Sequence, residues 1–505
     1  MDNGVHIPAS WETVELVRLC ELINGDRGKN YPSKELRAAT GIPFVNAGHI
    51  KRNDISDVGM TFVDEERYEL LGSGKFRRGD ILFCIRGSLG KVALNTRFER
   101  GAIASSLIIV RPHRLINTKF VLYFLASPLA SRFIGEFDNG TAQPNLSGRD
   151  FARFLVPVPP RSEQDRIVEK LEELFSELDF SIACLSKARY QISLYRQAVL
   201  GDAFSGKLTT SWRRANPEAV LPANQMVSVI KAGRDEHYQR KASRNKKKQR
   251  ALKVYKALSD ESLRDLPSLP KEWVWEKLGW MTCGVEYGSA AKSADVGSVP
   301  VLRMGNIQNG KFDWSDLVYT SDPQEIAKYA LRSGDVLFNR TNSPELVGKT
   351  AIYRGERSAV FAGYLIRINQ IASIVDGSYL NLFLNSRLAR RFGSFVKTDG
   401  VNQSNINGDK LSNYPFPYCS IAEQQEVVRI LEQKLSVVDR MEEDVSRELL
   451  KAEALRKSIL IRALSGGLVS QNPKDETASL LLMRMADATH ECGRQAKKET
   501  KRNAA

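Results

Sequence analysis

"PPRSEQDRIVEKLEELFSELD" (Pro159–Asp179) and "YCSIAEQQEVVRILEQKLSVVD" (Tyr418–Asp439) are two versions of one motif. Each puts a Glu-Gln pair, Glu163-Gln164 or Glu423-Gln424, at the head of a run whose apolar residues recur every three or four positions. In the first run these are Ile167, Leu171, Leu174, Leu178, Ile182, Leu185, Ile192, Tyr195 and Val199. In the second they are Val428, Leu431, Leu435, Val438, Met441, Val445, Leu449, Ala452, Leu455 and Ile459. Such spacing, with charges between, predicts helices from about Ser162 to Phe204 and from about Ile421 to Leu464, each with one narrow apolar seam. A helix of about 40 residues spans about 60 Å and cannot bury a seam on itself. The two are expected to pack on each other, antiparallel, with a globular domain at either end.

The duplication extends in both directions from these helices. "RQAVLGDAFSGKL" (Arg196–Leu208) matches "RKSILIRALSGGL" (Arg456–Leu468), with a glycine placed to stop each helix. Upstream, "PASW" ending at Trp11 matches "PKEW" ending at Trp273, and "IPFVNAGHI" (Ile42–Ile50) matches "VPVLRMGNI" (Val299–Ile307). "GDILF" (Gly79–Phe83) matches "GDVLF" (Gly334–Phe338), and "GTAQPNLSG" (Gly140–Gly148) matches "GVNQSNING" (Gly400–Gly408). Short β-branched runs and frequent Gly or Asp turns make the upstream regions strand-rich. The expected class is α+β, a tandem repeat with a pseudo-two-fold. Its parts are a first domain (1–158), a spacer helix (159–208), a basic linker (209–268), a second domain (269–416), a second spacer helix (417–468) and a tail (469–505).

A chain of 505 residues is too long for one core. No segment reaches the roughly 18 apolar residues of a membrane span, and the first thirty residues lack the pattern of a secretory signal. The six cysteines are far apart with no CxxC pair, and the five histidines form no zinc motif, so reduced thiols and no metal are expected. The net charge of +15 favours a polyanionic partner. Residues 231–253 alone carry a net +8, which reads as a solvated linker or as a segment lying over phosphates.

Two stretches imitate catalytic motifs. "SPELVGKTAIY" (Ser343–Tyr353) ends like a phosphate-binding loop, but Ser343 replaces the first glycine, and the matching "GSLGKVALN" (Gly87–Asn95) has Val92 where a Mg2+-binding hydroxyl is needed. "NYPF" (Asn413–Phe416) resembles the N-P-P-[YF] of amino-methyltransferases, but Tyr414 replaces a proline and no glycine-rich cofactor loop accompanies it. Both are expected to be scaffold, and the chain is read as a binder, not an enzyme.

Two strand-rich domains, each followed by a long helix opening on Glu-Gln and closing on Ser-Gly-x-Leu, resemble the specificity subunit of type I restriction–modification enzymes. "GNIQNGKFDWSDLVY" (Gly305–Tyr319) and "RQAVLGDAFSGKLTTSWR" (Arg196–Arg213) are similar to the enterobacterial branch. The resemblance covers roughly residues 5 to 470. It implies a non-catalytic subunit, cytoplasmic and DNA-associated in a bacterium, whose two target-recognition domains each read half of a split, asymmetric sequence in double-stranded DNA. It implies two copies of a modification (methyltransferase) subunit as partners, joined by restriction subunits. S-adenosylmethionine, ATP and Mg2+ would be held by those partners and no cofactor by this chain. Half-sites would lie about one helical turn, roughly 10 base pairs, apart. A scaffold of the same fold without a methyltransferase, or a coiled-coil adaptor that binds only protein, are the alternatives.

Base readout needs Arg or Lys for guanine and Asn or Gln for adenine. The expected DNA-binding residues are His49, Lys51, Arg52, Arg77, Arg78 and Arg86 in the first domain. In the second they are Arg303, Asn306, Gln308, Lys311, Arg340 and Asn342. Gln143/Asn145 and Gln403/Asn405 recur in both halves and are assigned to structure.

Overall fold

The computed structural model describes residues 7–137, 144–244, 254–401 and 403–488. Three long helices organise the chain: α1 (Arg161–Phe204), α2 (Ala223–Arg244) and α3 (Ile421–Leu464). The chain forms two compact units that cut across its linear order, residues 1–186 with 446–505, and residues 187–445. The first half of α1 and the second half of α3 therefore belong to the first unit, and the remaining halves to the second.

The strands repeat as the sequence does. In the first unit an antiparallel sheet runs in the order Cys20–Asn24, Leu107–Pro112, Ile81–Cys84, Val92–Leu94. A mixed sheet pairs Ile42–Val45 parallel to Arg100–Ile103. The second unit has the same antiparallel order, Thr282–Tyr287, Leu365–Gln370, Val336–Asn339, Thr350–Ile352, and Val299–Leu302 runs parallel to Val360–Phe361. Ile81–Cys84 and Val336–Asn339 are buried at every position, which is why both read as continuous runs and not as alternation. In each unit the strand entering the long helix, Leu155–Val158 or Pro415–Tyr418, pairs with the strand after the tryptophan motif, Glu12–Glu15 or Val274–Lys277.

Both decoys are scaffold. The Gly-Lys turns join adjacent antiparallel strands, with Gly90 and Gly348 at φ of 80° and 89°. The Thr350 hydroxyl is buried and accepts the Asn385 side-chain amide at 2.7 Å. Tyr414 and Phe416 are core residues at the strand leading into α3.

The Glu-Gln pair explains its own recurrence. Glu163 is buried at the start of α1, where one carboxylate oxygen accepts the Trp11 indole N–H at 3.0 Å and the other accepts the Gln471 amide at 2.6 Å. Glu423, equally buried, accepts the Thr209 hydroxyl at 2.6 Å and pairs with Arg213, whose guanidinium lies over Trp273. Each carboxylate thus ties one helix start to the segment that follows the other helix. Burial pushes both carboxyls above the usual range, against the hydrogen bonds they accept. The glutamines close the joint: Gln164 accepts the Asn117 N–H and donates to the Pro159 carbonyl, while Gln424 accepts the Asp376 N–H and donates to the carbonyls of Ile374 and Cys419.

The seam differs from the expected one at its centre. Tyr195, Met441 and Leu455 are about half exposed. One position along, Arg196 pairs with Asp439 at 2.6 Å and Glu442 at 2.7 Å in the second unit. Arg456 pairs with Asp179 in the first and lies 4.4 Å over the Phe175 ring. These are the same ion pair in both copies of the repeat. Because 3.6 residues per turn does not match a strict 3–4 alternation, the facing position passes from the apolar residue to the adjacent arginine. Within each unit the two helix halves run antiparallel.

The basic linker is also more structured than a solvated tether. α2 buries Met226 and Ile230 in the second unit's core, and Arg234 lies over the rings of Tyr238, Tyr255 and Trp280. Lys246, Lys247, Lys248 and Arg250 fall outside the described residues. Among the described residues no single helix is long and apolar enough to cross a membrane.

Gly206 and Gly466 end their helices at φ of 72° and 77°, and a Cβ there would stand 2.5 Å from Pro270 Cγ or 2.3 Å from Pro8 Cγ. Gly466→Ala is expected to cost about 1–2 kcal/mol in backbone strain and about 1–3 kcal/mol in overpacking. Gly79→Ala, at φ 89° with open space around it, should cost only the backbone share; urea denaturation compares them. A second expectation concerns pH. Glu163 has its pKa raised on folding, so its contribution is complete below its ordinary pKa of 4.5 and is lost as pH rises through the folded value. Glu163→Gln leaves one acceptor for two donors and costs about 1–3 kcal/mol. The gap between wild type and variant should narrow as urea melts are taken upward from that pH.

Candidate nucleic-acid interface

Some of the expected DNA-binding residues lie on or beside a hairpin present in both units: His49, Lys51 and Arg52 in the first, Asn306, Gln308 and Lys311 in the second. In the first unit Ile50–Lys51 pairs with Asp54–Ile55 across a two-residue turn, Arg52-Asn53, both at positive φ. In the second, Ile307–Gln308 pairs with Lys311–Phe312 across Asn309-Gly310, again both at positive φ. Two left-handed residues form the turn whose twist matches a tight hairpin. Each hairpin is tied down by the lysine of the Gly-Lys turn. Lys91 donates to the Ala47 carbonyl at 3.3 Å, and Lys349 to the Gln308 side chain at 3.5 Å.

His49 and Asn306 occupy the same position at the hairpin base and are both buried. His49 Nδ1 accepts the Asn46 N–H at 3.1 Å, which leaves Nε2 to donate to the Gly59 carbonyl at 3.0 Å. Asn306 accepts the Arg303 N–H at 2.8 Å and donates to the carbonyls of Asp313 and Asp316. A ring in one half and an amide in the other perform the same clamp. With their polar atoms committed to backbone, neither presents a free group to a ligand.

The other residues divide by how they are held. Lys51 and Arg52 are exposed at the hairpin tip, and Arg77 is exposed at a strand end. Arg78 pairs with Glu99 at 3.0 Å, and Arg86 donates from Nε to Asn145 Oδ1 at 2.9 Å. In the second unit Arg303 pairs with Asp316 at 3.1 Å, and Gln308 donates to the Gly305 carbonyl. Lys311 reaches Asp439 on α3 at 2.8 Å. Arg340 is partly buried, with its guanidinium 4.9 Å from the Tyr287 ring centre and its Nε without a hydrogen-bond partner. Asn342 accepts the Ser343 N–H in a small strand pairing with Ser404–Asn405.

Asn145 and Asn405 carry the structural role assigned to them. Asn145 bridges to Arg86, and Asn405 donates to the Thr341 hydroxyl at 2.7 Å. Gln143 lies outside the described residues. No group of three or more His, Cys, Asp or Glu that could hold a metal occurs among the described residues. If His49 and Asn306 are clamps, His49→Ala or Asn306→Ala should each cost about 1–3 kcal/mol, the penalty of leaving buried backbone groups unpaired. Lys51→Ala and Arg52→Ala, at the exposed tip of the same hairpin, should leave the urea midpoint within error.

Comparison with known proteins bears on this arrangement. The family described as "Type I restriction modification DNA specificity domain" matches residues 8–181 and 286–450. The chain is 25% identical over 479 residues to the type I restriction enzyme EcoKI specificity subunit of Escherichia coli K12, covering 92% of this chain and 90% of that protein. It is 23% identical to the StySPI specificity subunit of Salmonella potsdam, covering 95% and 96%. A solved structure from work on the assembly and conformational transition of the type I R-M system aligns with a TM-score of 0.61 at 17% identity, over 91% of this chain and 99% of that one. One family thus matches both copies of the repeat, with both hairpins and the first part of each long helix, and the chain belongs to the type I restriction–modification DNA specificity family.

Proposed function

We propose that this chain reads an asymmetric, bipartite sequence in double-stranded DNA and directs an adenine methyltransferase to it. It is the non-catalytic specificity subunit of its complex. The first unit reads one half-site and the second unit the other. The observation that carries this is a repeated hairpin on a repeated scaffold with different side chains at its tip: Lys51 and Arg52 in one unit, Gln308 and Lys311 in the other. Equivalent readers with unlike side chains select unlike half-sites. Two modification subunits dock on the chain and restriction subunits complete the complex. S-adenosylmethionine, ATP and Mg2+ are held by those partners, in a bacterial cytoplasm. Arg340, braced on Tyr287 with Nε unsatisfied, is a base reader of the second half-site. His49 and Asn306 act on recognition only by holding the hairpins.

Single-molecule methylation sequencing of host DNA, with and without this gene beside its modification subunit, tests the reading. A split adenine-methylated motif should disappear with the gene. Arg340→Ala should relax or weaken one half of that motif, at about 1–3 kcal/mol for a lost bidentate contact, and leave the other half intact. An unchanged methylation pattern on deletion would remove the proposed function, and equal loss at both half-sites would remove the role of Arg340.

A further inference from the structure

The first unit holds an open cleft of about 500 Å³ that the hairpin does not account for. It lies between the end of strand Cys20–Asn24, the Gly72-Ser73 turn and the segment Asn145–Arg149. Its walls are fixed. The Asp26 carboxylate accepts the N–H groups of Gly28 at 2.6 Å and Gly72 at 2.8 Å, and the Ser73 hydroxyl donates to the Asn24 carbonyl at 2.7 Å. These bonds hold the Asp26 carboxyl below its ordinary range. Gly25 sits so close to the neighbouring strand that a Cβ would stand 2.7 Å from the Ala104 carbonyl oxygen.

Three exposed arginines, Arg27, Arg86 and Arg149, line this cleft. Among the described residues none is paired with a carboxylate. Arg78, Arg97, Arg100 and Arg111 of the same unit each are. Burial, and then the neighbouring charge of Arg86, hold the Arg27 guanidinium below its usual range. A neutral base edge can accept hydrogen bonds from such a group but leaves the repulsion in place, whereas a phosphate removes it and fits the guanidinium fork.

The second unit is an internal control. Its strands pair in the same order: Gly288 makes the same close approach to the Ala362 carbonyl, at 2.3 Å for a Cβ, and Asn405 pairs with Thr341 as Asn145 does with Arg86. The positions of Arg27, Arg86 and Arg149 are there Ala290, Thr341 and Asp409. Ser289 replaces Asp26, but the glycine approach and the asparagine bridge are kept while all three cations are absent, so those two contacts do not need them.

We propose that this cleft grips a backbone phosphate of the DNA bound by the first unit, with Arg27, Arg86 and Arg149 as its ligands. The proposal rests on the reading of the chain as a DNA-binding subunit, and it assigns Arg86 to positioning and not to base readout. The test uses the full chain with its modification subunit, and measures binding by fluorescence anisotropy from low to high salt. The probes are a duplex carrying the methylated motif and a scrambled duplex of equal length. For Arg27→Gln/Arg149→Gln, affinity should fall by a similar factor on both duplexes, and the slope of log K against log salt should shrink by about 1. The methylated motif should be unchanged, and Arg27→Lys/Arg149→Lys should restore most of the slope. An unchanged slope, or a loss confined to the motif duplex with one of its positions becoming degenerate, overturns the phosphate site. If the wild-type complex binds neither duplex, the DNA reading falls, and the cleft with it.

Discussion

Everything in this fold hangs on a carboxylate taken out of water at the first turn of each long helix. A buried glutamate is costly unless its oxygens are occupied. Glu163 has both oxygens occupied, one by Trp11 of its own domain and one by Gln471 of the segment emerging from the opposite helix, while one oxygen of Glu423 takes both Thr209 and Arg213 of the segment that follows α1. The glycine that ends each helix at positive φ lets that segment pass against the Pro-x-x-Trp motif. Helix start, helix end and domain entry are fixed at one point. Each strand-rich domain is thereby oriented on its helix pair, and its core runs on into the helices, through Ile167, Leu171 and Leu464 in the first unit and Leu200, Phe204 and Leu431 in the second.

The ion pairs between helices repeat this logic farther along. Arg196 and Arg456 stand one position on from Tyr195 and Leu455, where the apolar seam was expected, and pair with Asp439 and Asp179. At the edge of a helix pair an arginine can keep part of its guanidinium solvated and bury its stem. At 28% exposure of its side chain, Asp439 stays charged because its hydrogen bonds from Lys311 and Arg196 outweigh the burial that would raise its pKa.

Much of this was legible in the sequence, and the misses have physical causes. The helix limits emerged within a residue or so because the Glu-Gln start and the Ser-Gly stop are local chemistry. The seam slipped by one at Tyr195 and Leu455 because periodicity records which residues are apolar, not which cations can be tolerated between helices. His49 and Asn306 read as ligands for DNA because a polar residue beside a hairpin has the same sequence signature whether it points out or holds the turn from within. Their equivalence, an imidazole with two backbone partners in one unit and an amide with three in the other, shows only in three dimensions. α2 was hidden by its charge: two buried apolar residues, Met226 and Ile230, are too few to register against a basic background. Arg27 and Arg149 were passed over because they lie far apart in sequence, and only the fold brings them to one cleft.

The crossed composition of the two units sets an order of completion at the ribosome. Residues 187–445 are one continuous stretch, so the second unit has all its parts once about nine-tenths of the chain has been made. The first unit does not. Its Glu163 waits for Gln471, its Glu12 for Ser479, and its core for Leu481 and Met485, hundreds of residues downstream. At about 5–20 residues per second, the first unit spends tens of seconds without its last wall. A chain cut short near its carboxyl end would thus be damaged first at the opposite end of its sequence, in the half that was synthesised earliest.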